Sequence, residues 1–239
     1  MKLKELLAGL APLSSTADPE TEIARISYDS RTTAPGDVCV AMTGFATDGH
    51  AYIGKAAAAG AAAVVCERVP QDTGIPYVQV ADARQALAVM AANFYGHPAD
   101  HMTMVAVTGT NGKTTTTYLL KAILEQELGA KVGLIGTNQD LIGDEVVPTE
   151  RTTPESLELQ ELFARMRSAG CTHVVMEASS HALALDRVYG IHYAVGIFTN
   201  LTQDHLDFHK TMEAYCDAKA ILFQNCDVGV CNADDPWTE

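Results

Sequence analysis

The sequence predicts an α/β fold divided into two domains. Strand-like and helix-like segments alternate along most of the 239 residues, as they do in folds built around a mostly parallel sheet. In the second half the strands are nearly continuous apolar runs, which is typical of parallel strands covered on both faces. The alternation is interrupted at Tyr95-Gly-His-Pro98, and the length suits two domains better than one. We therefore expect a small α/β domain at 1–97 and a larger, mostly parallel-sheet domain at 98–239.

The elements of the first domain are short. An alanine-rich helix is predicted to end at Gly60, because glycine is common just past a helix C-terminus. Asp82 is the expected cap of a second helix that reaches Phe94. The predicted strands and helices are 36–42, 52–59, 62–66, 77–80 and 82–94.

The elements of the second domain are longer. A helix is predicted to start at Thr153-Pro154, with proline at the first helical position, and to bury Leu159, Leu162, Phe163 and Met166 on one face. Another helix is introduced by Thr211. The predicted elements are a strand into a glycine-rich turn from 102, a helix to about 127, strands at 132–135, 172–177, 194–199 and 228–231, and helices at 153–169 and 212–223.

Composition excludes several classes of protein. The net charge is −14 and no run of five basic residues occurs, so a nucleic-acid partner is not expected. No signal peptide and no apolar run of membrane-spanning length are seen, so we expect a cytoplasmic protein without membrane insertion. We also expect a monomer. The six cysteines contain no C-x-x-C pair, which favours reduced thiols over disulfides or a zinc site.

The segment that follows the strand at 102–108 carries the strongest functional signal. It is predicted to bind phosphate through its backbone N–H groups and the positive end of the helix that follows. Lys113 can neutralise the outer phosphates and the Thr114 hydroxyl can ligate Mg²⁺. Val107 stands where the general phosphate-loop pattern has its first glycine, so the loop is tighter than usual. The alternative is a chance glycine-rich turn. The candidate nucleoside-triphosphate residues are Gly109, Thr110, Asn111, Gly112, Lys113, Thr114 and Thr115.

Two further segments end predicted strands and are expected at the same sheet edge. Glu177 closes one strand and Asn200 closes another. Because ligands gather at the carboxyl ends of parallel strands, both are predicted to lie near the phosphate-binding segment. Mg²⁺ prefers oxygen ligands, which suits Glu177 and Thr114. A polar cluster after Asn200 offers one more ligand, and its alternative interpretation is an ordinary surface loop. The cluster comprises Asp204, His205, Asp207 and His209.

Together these motifs resemble the Mur ligases, which act in peptidoglycan synthesis. The similar segments are Thr-Gly-Thr-Asn-Gly-Lys-Thr-Thr at 108–115, Met-Glu-Ala-Ser-Ser-His at 176–181, Thr-Asn-Leu-Thr-Gln-Asp-His-Leu-Asp-Phe-His at 199–209 and Ala-Lys-Ala-Ile-Leu-Phe at 218–223. Tyr28-Asp-Ser-Arg-Thr32 and the segment 36–50 are most similar to the members that add a diamino acid. The resemblance covers essentially the whole chain.

The resemblance implies an ATP-dependent amide ligase that uses Mg²⁺. ATP would phosphorylate the D-glutamyl carboxylate of UDP-MurNAc-L-Ala-D-Glu, and a diamino acid would attack the acyl phosphate. It further implies catalytic roles for Lys113, Lys219 and His205, and a carbamylated side chain at Lys219. The implied metal ligands are Thr114, Glu177, His205 and Lys219. Without the resemblance, Lys219 reads as a solvated helix lysine. Meso-diaminopimelate is favoured over L-lysine.

The resemblance also implies substrate contacts. The first domain would bind the UDP-sugar through Tyr28 and Ser30. In the second domain, which would bind ATP, the implied contacts with the muramyl-peptide are Thr152, Thr153, Ser179 and Arg187. Arg187 can pair with a substrate carboxylate.

Members of the family are expected to have three domains, and on that expectation the C-terminal domain is not part of this sequence. Two alternatives to the Mur-type ligase remain open. One is a catalytically incomplete module that binds only nucleotide or UDP-sugar, and the other is a ligase similar to folylpolyglutamate synthetases. The separate N-terminal domain with Tyr28-Asp-Ser-Arg argues against the folate alternative.

Overall fold

A computed structural model describes residues 1–44, 47–71 and 73–238. Phe45 and Ala46, which belong to the motif at 36–50, lie outside the described residues, as do Asp72 and Glu239. The chain forms two compact units, Met1–Gly96 and His97–Glu239. Within the described part, no helix has both the length and the apolar character needed to cross a membrane.

The first unit is built on a five-stranded sheet. Its elements are α1 (Leu3–Leu6), β1 (Ser14–Ser15), β2 (Ile26–Ser27), β3 (Val38–Ala41), a 3₁₀ turn (Gly49–Tyr52), α2 (Ile53–Ala58), β4 (Ala63–Cys66), β5 (Tyr77–Gln79) and α3 (Ala83–Tyr95). The strand order is β1-β5-β4-β3-β2, and all neighbouring strands are parallel except β1 and β5. Asp82 caps α3 as predicted, because its carboxylate accepts from the backbone N–H groups of Arg84 and Gln85.

The second unit has more strands and helices than the first among the described residues. A 3₁₀ turn (Pro98–His101) leads into its first strand, and a second 3₁₀ turn (Ile221–Asn225) precedes its last. The strands are β6 (Thr103–Thr108), β7 (Val132–Ile135), β8 (Asp140–Ile142), β9 (Glu145–Val147), β10 (His173–Glu177), β11 (Tyr193–Phe198) and β12 (Cys226–Cys231). The helices are α4 (Lys113–Leu128), α5 (Ser156–Ser168), α6 (Ser180–Ala184), α7 (Leu206–His209) and α8 (Met212–Ala220).

These seven strands form one sheet with the order β12-β11-β6-β10-β7-β8-β9. The five strands from β12 to β7 are parallel, and β8 and β9 add an antiparallel edge. After β6 the chain builds β7 and β10 on one side, then crosses to build β11 and β12 on the other. The order therefore reverses between β6 and β11, and such a switch point opens a crevice at the carboxyl ends of the strands.

Helices cover both faces of the parallel region. On one face, α5 buries the four side chains predicted from its spacing, and they pack against alternate residues of β6 and β10 such as Met104 and Met176. On the other face, Leu120 and Leu124 of α4 pack against Val105 and Val175. The predicted α/β class and mostly parallel sheet are confirmed.

Several short elements were not predicted, and three of the differences have a clear physical reason. Helix α5 begins at Ser156, not at Thr153-Pro154, because the Thr153 hydroxyl donates to the Glu177 carbonyl instead of capping a helix. The hairpin of β8 and β9 was not predicted, since its three-residue strands are too short for a periodic signal. The helix expected at 212–223 becomes a 3₁₀ turn after Ala220.

Candidate functional site

The switch point brings together the ends of four strands. Residues 109–115, here called the phosphate loop, follow β6, and Glu177 is the last residue of β10. Asn200 follows β11, and Thr137 follows β7. The parallel register aligns these strands, so the four segments lie at one edge of the sheet, as the strand-end rule predicts.

The segment after β11 holds the phosphate loop in place. The Asn200 carbonyl accepts from the Thr110 backbone N–H at 2.8 Å. Its side-chain oxygen accepts from the Asn111 N–H at 2.9 Å, and its side-chain amide donates to the Asn111 carbonyl at 3.1 Å. The Thr199 hydroxyl also donates to that carbonyl, at 2.7 Å. The backbone N–H groups of Thr110 and Asn111 are therefore bonded to Asn200, although the sequence analysis expected the N–H groups of this segment to face phosphate.

The remaining amides of the loop belong to the start of α4. Gly112 is the N-cap in a left-handed conformation, and Lys113, Thr114 and Thr115 form the first turn. N–H groups in the first turn of a helix have no partner within the helix and attract anions.

Gly109 is required at the first position of the loop. Its φ is 142°, and a Cβ built there would lie 2.0 Å from the Thr199 hydroxyl oxygen. The same close approach lets Thr199 and Asn200 contact the loop. A side chain at residue 109 would force the two segments apart.

Two lysine ammonium groups converge on one carbonyl oxygen. Lys113 donates to the carbonyls of Gly109 at 2.9 Å and Thr110 at 2.8 Å, and Lys219 donates to that of Gly109 at 3.0 Å. Burial and the nearby Lys113 charge lower the pKa of Lys219 to about 7. Burial also lowers the pKa of Lys113, against the opposing charges of Glu177 and Asp204. Lys219 is 2% exposed, so the solvated helix lysine suggested as the alternative is not what the structure has.

Glu177 is a buried carboxylate with both oxygens held. It is 1% exposed. Its Oε1 accepts from the Thr114 hydroxyl at 2.8 Å and from the Thr137 backbone N–H at 3.0 Å. Its Oε2 accepts from the Thr137 hydroxyl at 3.1 Å. The structure thus places Glu177 against Thr114, the pair predicted to share a magnesium ion.

His205 contacts Tyr215, and Tyr215 in turn contacts the phosphate loop. Their rings are 6.1 Å apart, and the Tyr215 hydroxyl lies 3.2 Å from the Thr110 hydroxyl. The Lys219 ammonium sits over the same tyrosine ring at 4.3 Å, a cation–π contact. His205 itself is half exposed and lies 3.6 Å from the Asp204 carboxylate.

A second histidine of the cluster is buried and neutral. His209 Nε2 lies 2.9 Å from the Ser180 hydroxyl, which ties α7 to α6. Burial, with the nearby His181 and Lys219, lowers the pKa of His209 to about 4. Its role in this arrangement is to pack, not to carry charge. Among the described residues, no group of three or more His, Cys, Asp or Glu side chains forms a metal-binding cluster.

Three of the four predicted peptide contacts meet beside Glu177. The Thr153 hydroxyl donates to the Glu177 carbonyl at 2.8 Å and accepts from the Ser179 N–H at 3.2 Å. Arg187 donates to the Thr153 carbonyl at 3.2 Å and lies 3.3 Å from the buried Glu155 carboxylate. The fourth, Thr152, bonds to Thr137.

Tyr28 and Ser30 lie in the first unit, after β2, and both are half buried. Asp29 between them is ion-paired with Arg31, which holds the pKa of that carboxyl below its usual range. A cavity of about 350 Å³ in this unit has other lining residues, including His50 and Arg68. The structure therefore brings Tyr28 and Ser30 into one turn without enclosing them in that cavity.

Three residues of the site have no predicted role in the sequence. Asn200 is marked there only as a strand end. Thr137 also follows a strand, with one residue between, so the strand-end rule was the signal that could have found it. Tyr215 lies inside α8, where nothing in the local pattern distinguishes it.

Comparison with known proteins identifies the family. Residues 107–239 match the Mur ligase middle domain. Residues 22–95 match the Mur ligase family, catalytic domain. The chain belongs to the Mur ligase family.

Curated Mur ligases resemble the whole chain. Two relatives are named UDP-N-acetylmuramoyl-L-alanyl-D-glutamate--2,6-diaminopimelate ligase. The protein from Clostridium botulinum is 49% identical, and the match covers 100% of this chain and 50% of that protein. The protein from Bacteroides fragilis is 47% identical, and the match covers 94% of this chain and 47% of that protein. The chain thus spans about half the length of the curated relatives it matches.

Solved Mur ligases share the fold. A structure of UDP-N-acetylmuramoyl-L-alanyl-D-glutamate--2,6-diaminopimelate ligase superposes with a TM-score of 0.81 at 30% identity, over 99% of this chain and 48% of that one. MurF from Acinetobacter baumannii superposes with a TM-score of 0.67 at 23% identity, over 99% and 49%. A Mycobacterium tuberculosis folylpolyglutamate synthase is a more distant match, with a TM-score of 0.52 at 16% identity over 64% of this chain and 42% of that one.

Proposed function

We propose that the chain is the UDP-sugar-binding and ATP-binding part of a ligase that adds meso-diaminopimelate to UDP-MurNAc-L-Ala-D-Glu. The observation that carries the proposal is the meeting of the phosphate loop, Glu177, Lys219 and the Thr152-Thr153 pair at one sheet edge. Relatives at 45–49% identity are named as ligases that add 2,6-diaminopimelate to UDP-N-acetylmuramoyl-L-alanyl-D-glutamate, and they supply the substrates of the proposal. Residues 1–97 would bind the UDP-sugar and residues 98–239 would bind ATP, both in the cytoplasm, where such substrates are found.

The chemistry follows from bringing two anions together. The D-glutamyl carboxylate attacks the γ-phosphorus of ATP, and the bond from that phosphorus to the β,γ-bridging oxygen breaks. The products are ADP and an acyl phosphate. The amine of the diamino acid then attacks the acyl carbon, loses a proton and expels phosphate. Lys113 and the amides at the start of α4 stabilise the phosphate charge. Arg187 holds a carboxylate of the peptide.

The residues at the β10 end fit magnesium. Glu177 and Thr114 would hold it through oxygen atoms, the donors that Mg²⁺ prefers. Bound there, magnesium neutralises charge on the phosphates. His205 offers a nitrogen, a weaker match for that ion, and an ammonium at Lys219 would repel it.

Carbamylation of Lys219 removes that conflict. Carbon dioxide adds to a neutral amine, which loses a proton and becomes an anionic carbamate. Burial already favours the neutral amine, since it lowers the pKa of Lys219 to about 7. The resulting carboxylate-like group can sit beside a cation.

The carbamate is testable within one molecule. With ¹³C-bicarbonate, Mg²⁺ and ATP, we expect a carbamate signal from Lys219 in the NMR spectrum and its loss in Lys219→Arg. Lys121 is an internal control, because it is also buried but is ion-paired with Glu125. A spectrum with no such signal, or with the signal on Lys121, contradicts the assignment.

Binding measurements test the function. Calorimetry of the 239-residue chain should show tighter binding of UDP-MurNAc-L-Ala-D-Glu than of UDP or tetrahydrofolate, and ATP binding that Lys113→Ala weakens. Equal affinity for the three compounds rejects the ligase assignment. Amide formation from ATP, the dipeptide and meso-diaminopimelate or L-lysine, followed by mass spectrometry, then separates a ligase from a binding module.

The binding-module alternative is supported by the half-length match to the curated relatives. It predicts that both nucleotides bind and that no amide forms. The folate alternative is supported only by shared fold with a distant synthase.

A further inference from the structure

Thr137 connects the magnesium side of the site with the peptide side. Its backbone N–H and its hydroxyl donate to the two oxygens of Glu177, at 3.0 Å and 3.1 Å. The same hydroxyl oxygen lies 3.0 Å from the Thr152 hydroxyl. Thr137 therefore stands between a proposed metal ligand and a proposed substrate contact.

The adjacent glycine makes this approach possible. A Cβ on Gly136 would lie 2.5 Å from Glu177 Oε1. Because Gly136 has no side chain, the backbone passes close enough for Thr137 to donate hydrogen bonds to both Glu177 oxygens.

The direction of each hydrogen bond follows from counting protons. A hydroxyl has one proton to donate, and a carboxylate only accepts. Because a bond to a charged acceptor is the stronger one, the Thr137 proton points to Glu177. Toward Thr152, Thr137 is then an acceptor, and the proton between them belongs to Thr152. The chain runs from Thr152 to Thr137 to Glu177.

The Thr153 hydroxyl also donates its proton toward residue 177. The acceptor is the Glu177 carbonyl, at 2.8 Å. Both threonines of the pair therefore direct their protons toward residue 177, and neither keeps its proton for a ligand.

We propose that Thr137 is a positioning residue that fixes Thr152 as a hydrogen-bond acceptor and so selects a substrate group that donates. In UDP-MurNAc-L-Ala-D-Glu the matching donors are the peptide N–H groups. This inference rests on the proposed function, which places Thr152 in the muramyl-peptide site. A carboxylate or carbonyl oxygen of the ligand is unsuited to Thr152, because two acceptors would face each other.

Amide-to-ester analogues test the selection. The probes are UDP-MurNAc-L-Ala-D-Glu, the analogue with L-lactate in place of L-Ala, and the analogue with D-2-hydroxyglutarate in place of D-Glu. Each analogue lacks one N–H. We expect the unmodified chain to bind one of the two ester analogues about 3- to 10-fold more weakly than UDP-MurNAc-L-Ala-D-Glu. This factor is what the loss of one net hydrogen bond produces.

Variants separate positioning from a general structural role. Thr137→Val keeps the shape but frees the Thr152 proton, so discrimination between amide and ester should disappear. Thr137→Ser keeps the hydroxyl and should keep the discrimination. Thr103→Val, at the exposed start of β6, is the matched control and should behave as the unmodified chain does. Equal discrimination by Thr137→Val, or none by the unmodified chain, overturns the inference.

A ligand-free measurement distinguishes this inference from the proposed function. Thr137 is exposed, so its hydroxyl proton exchanges quickly with water and has to be located directly. Neutron diffraction from the ligand-free chain should show the Thr137 proton directed at Glu177 and the Thr152 proton directed at Thr137. A Thr137 proton directed at Thr152 overturns the inference even where the muramyl-peptide binds. Failure of the unmodified chain to prefer the muramyl-peptide over UDP, with both protons placed as expected, instead rejects the proposed function and the selection of its N–H group with it.

Discussion

Replacing Asn200 with alanine removes two side-chain hydrogen bonds that hold the phosphate loop. They join Asn200 to the N–H and the carbonyl of Asn111, at 2.9 Å and 3.1 Å. The backbone bond from Thr110 to the Asn200 carbonyl remains. The loop therefore keeps one of its three links to this residue and gains freedom at Asn111.

The magnitude follows from the two bonds lost. A net contribution of about 1 kcal/mol per hydrogen bond gives about 2 kcal/mol for the pair. If nucleotide binding needs the loop as the structure shows it, ATP affinity falls about 30-fold, since about 1.4 kcal/mol corresponds to tenfold. Asn200→Asp should bind more weakly still, because it places a negative charge beside the phosphates.

Calorimetry with ATP and Mg²⁺ measures the effect. Asn225→Ala is the matched control, because the Asn225 amide bonds one carbonyl in the 3₁₀ turn after α8 and does not contact the loop. Fluorescence of Trp237, the single tryptophan, checks that the second unit stays folded, since this residue packs against the cluster of Phe198, Leu201 and Tyr215. Unchanged ATP affinity in folded Asn200→Ala would refute the reasoning.

Three other substitutions have expected outcomes. Gly109→Ala should abolish ATP binding, because its Cβ would lie 2.0 Å from the Thr199 hydroxyl; calorimetry showing normal affinity contradicts this. Glu177→Gln should weaken Mg²⁺ binding to the ATP complex at least about tenfold, measured by Mg²⁺ titration, while metal-free ATP binding is preserved. Burial raises the pKa of Asp140 from 3.8 to about 6. The unfolded chain thus loses this proton first, and stability falls as the pH rises from about 4 to 6. Asp140→Asn should therefore be more stable at pH 7 by up to roughly 3 kcal/mol. Urea unfolding followed by Trp237 fluorescence measures this gain, which should vanish below pH 4. A gain that does not depend on pH would show that the raised pKa of Asp140 is not its cause.

Periodicity and strand ends were sufficient for most of the fold. The spacing in α5 identified its buried face, because an amphipathic helix repeats its apolar residues with the turn of the helix. The start of α5 was misplaced, because Thr153 and proline imitate a helix start while the threonine hydroxyl bonds to the neighbouring strand. A local pattern does not contain that contact.

The site was predictable only where a strand end or a motif marked it. Asn200 and Glu177 were noticed because they close strands. The hydrogen bonds of Asn200 to the loop join residues 89 positions apart in the chain, and Tyr215 reaches Thr110 across 105 positions. Such partners depend on strand order, which the sequence alone does not specify. The roles of the site residues stay predictions until ligands are measured.

The hydrogen bonds that hold Glu177 reduce the conformational entropy that its side chain can lose on binding a cation. A free glutamate side chain samples many rotamers, and ordering one opposes binding by up to about 2 kcal/mol. Here three donors and complete burial have already selected one rotamer during folding. A cation that arrives at this carboxylate meets a side chain that has no rotational freedom left to lose.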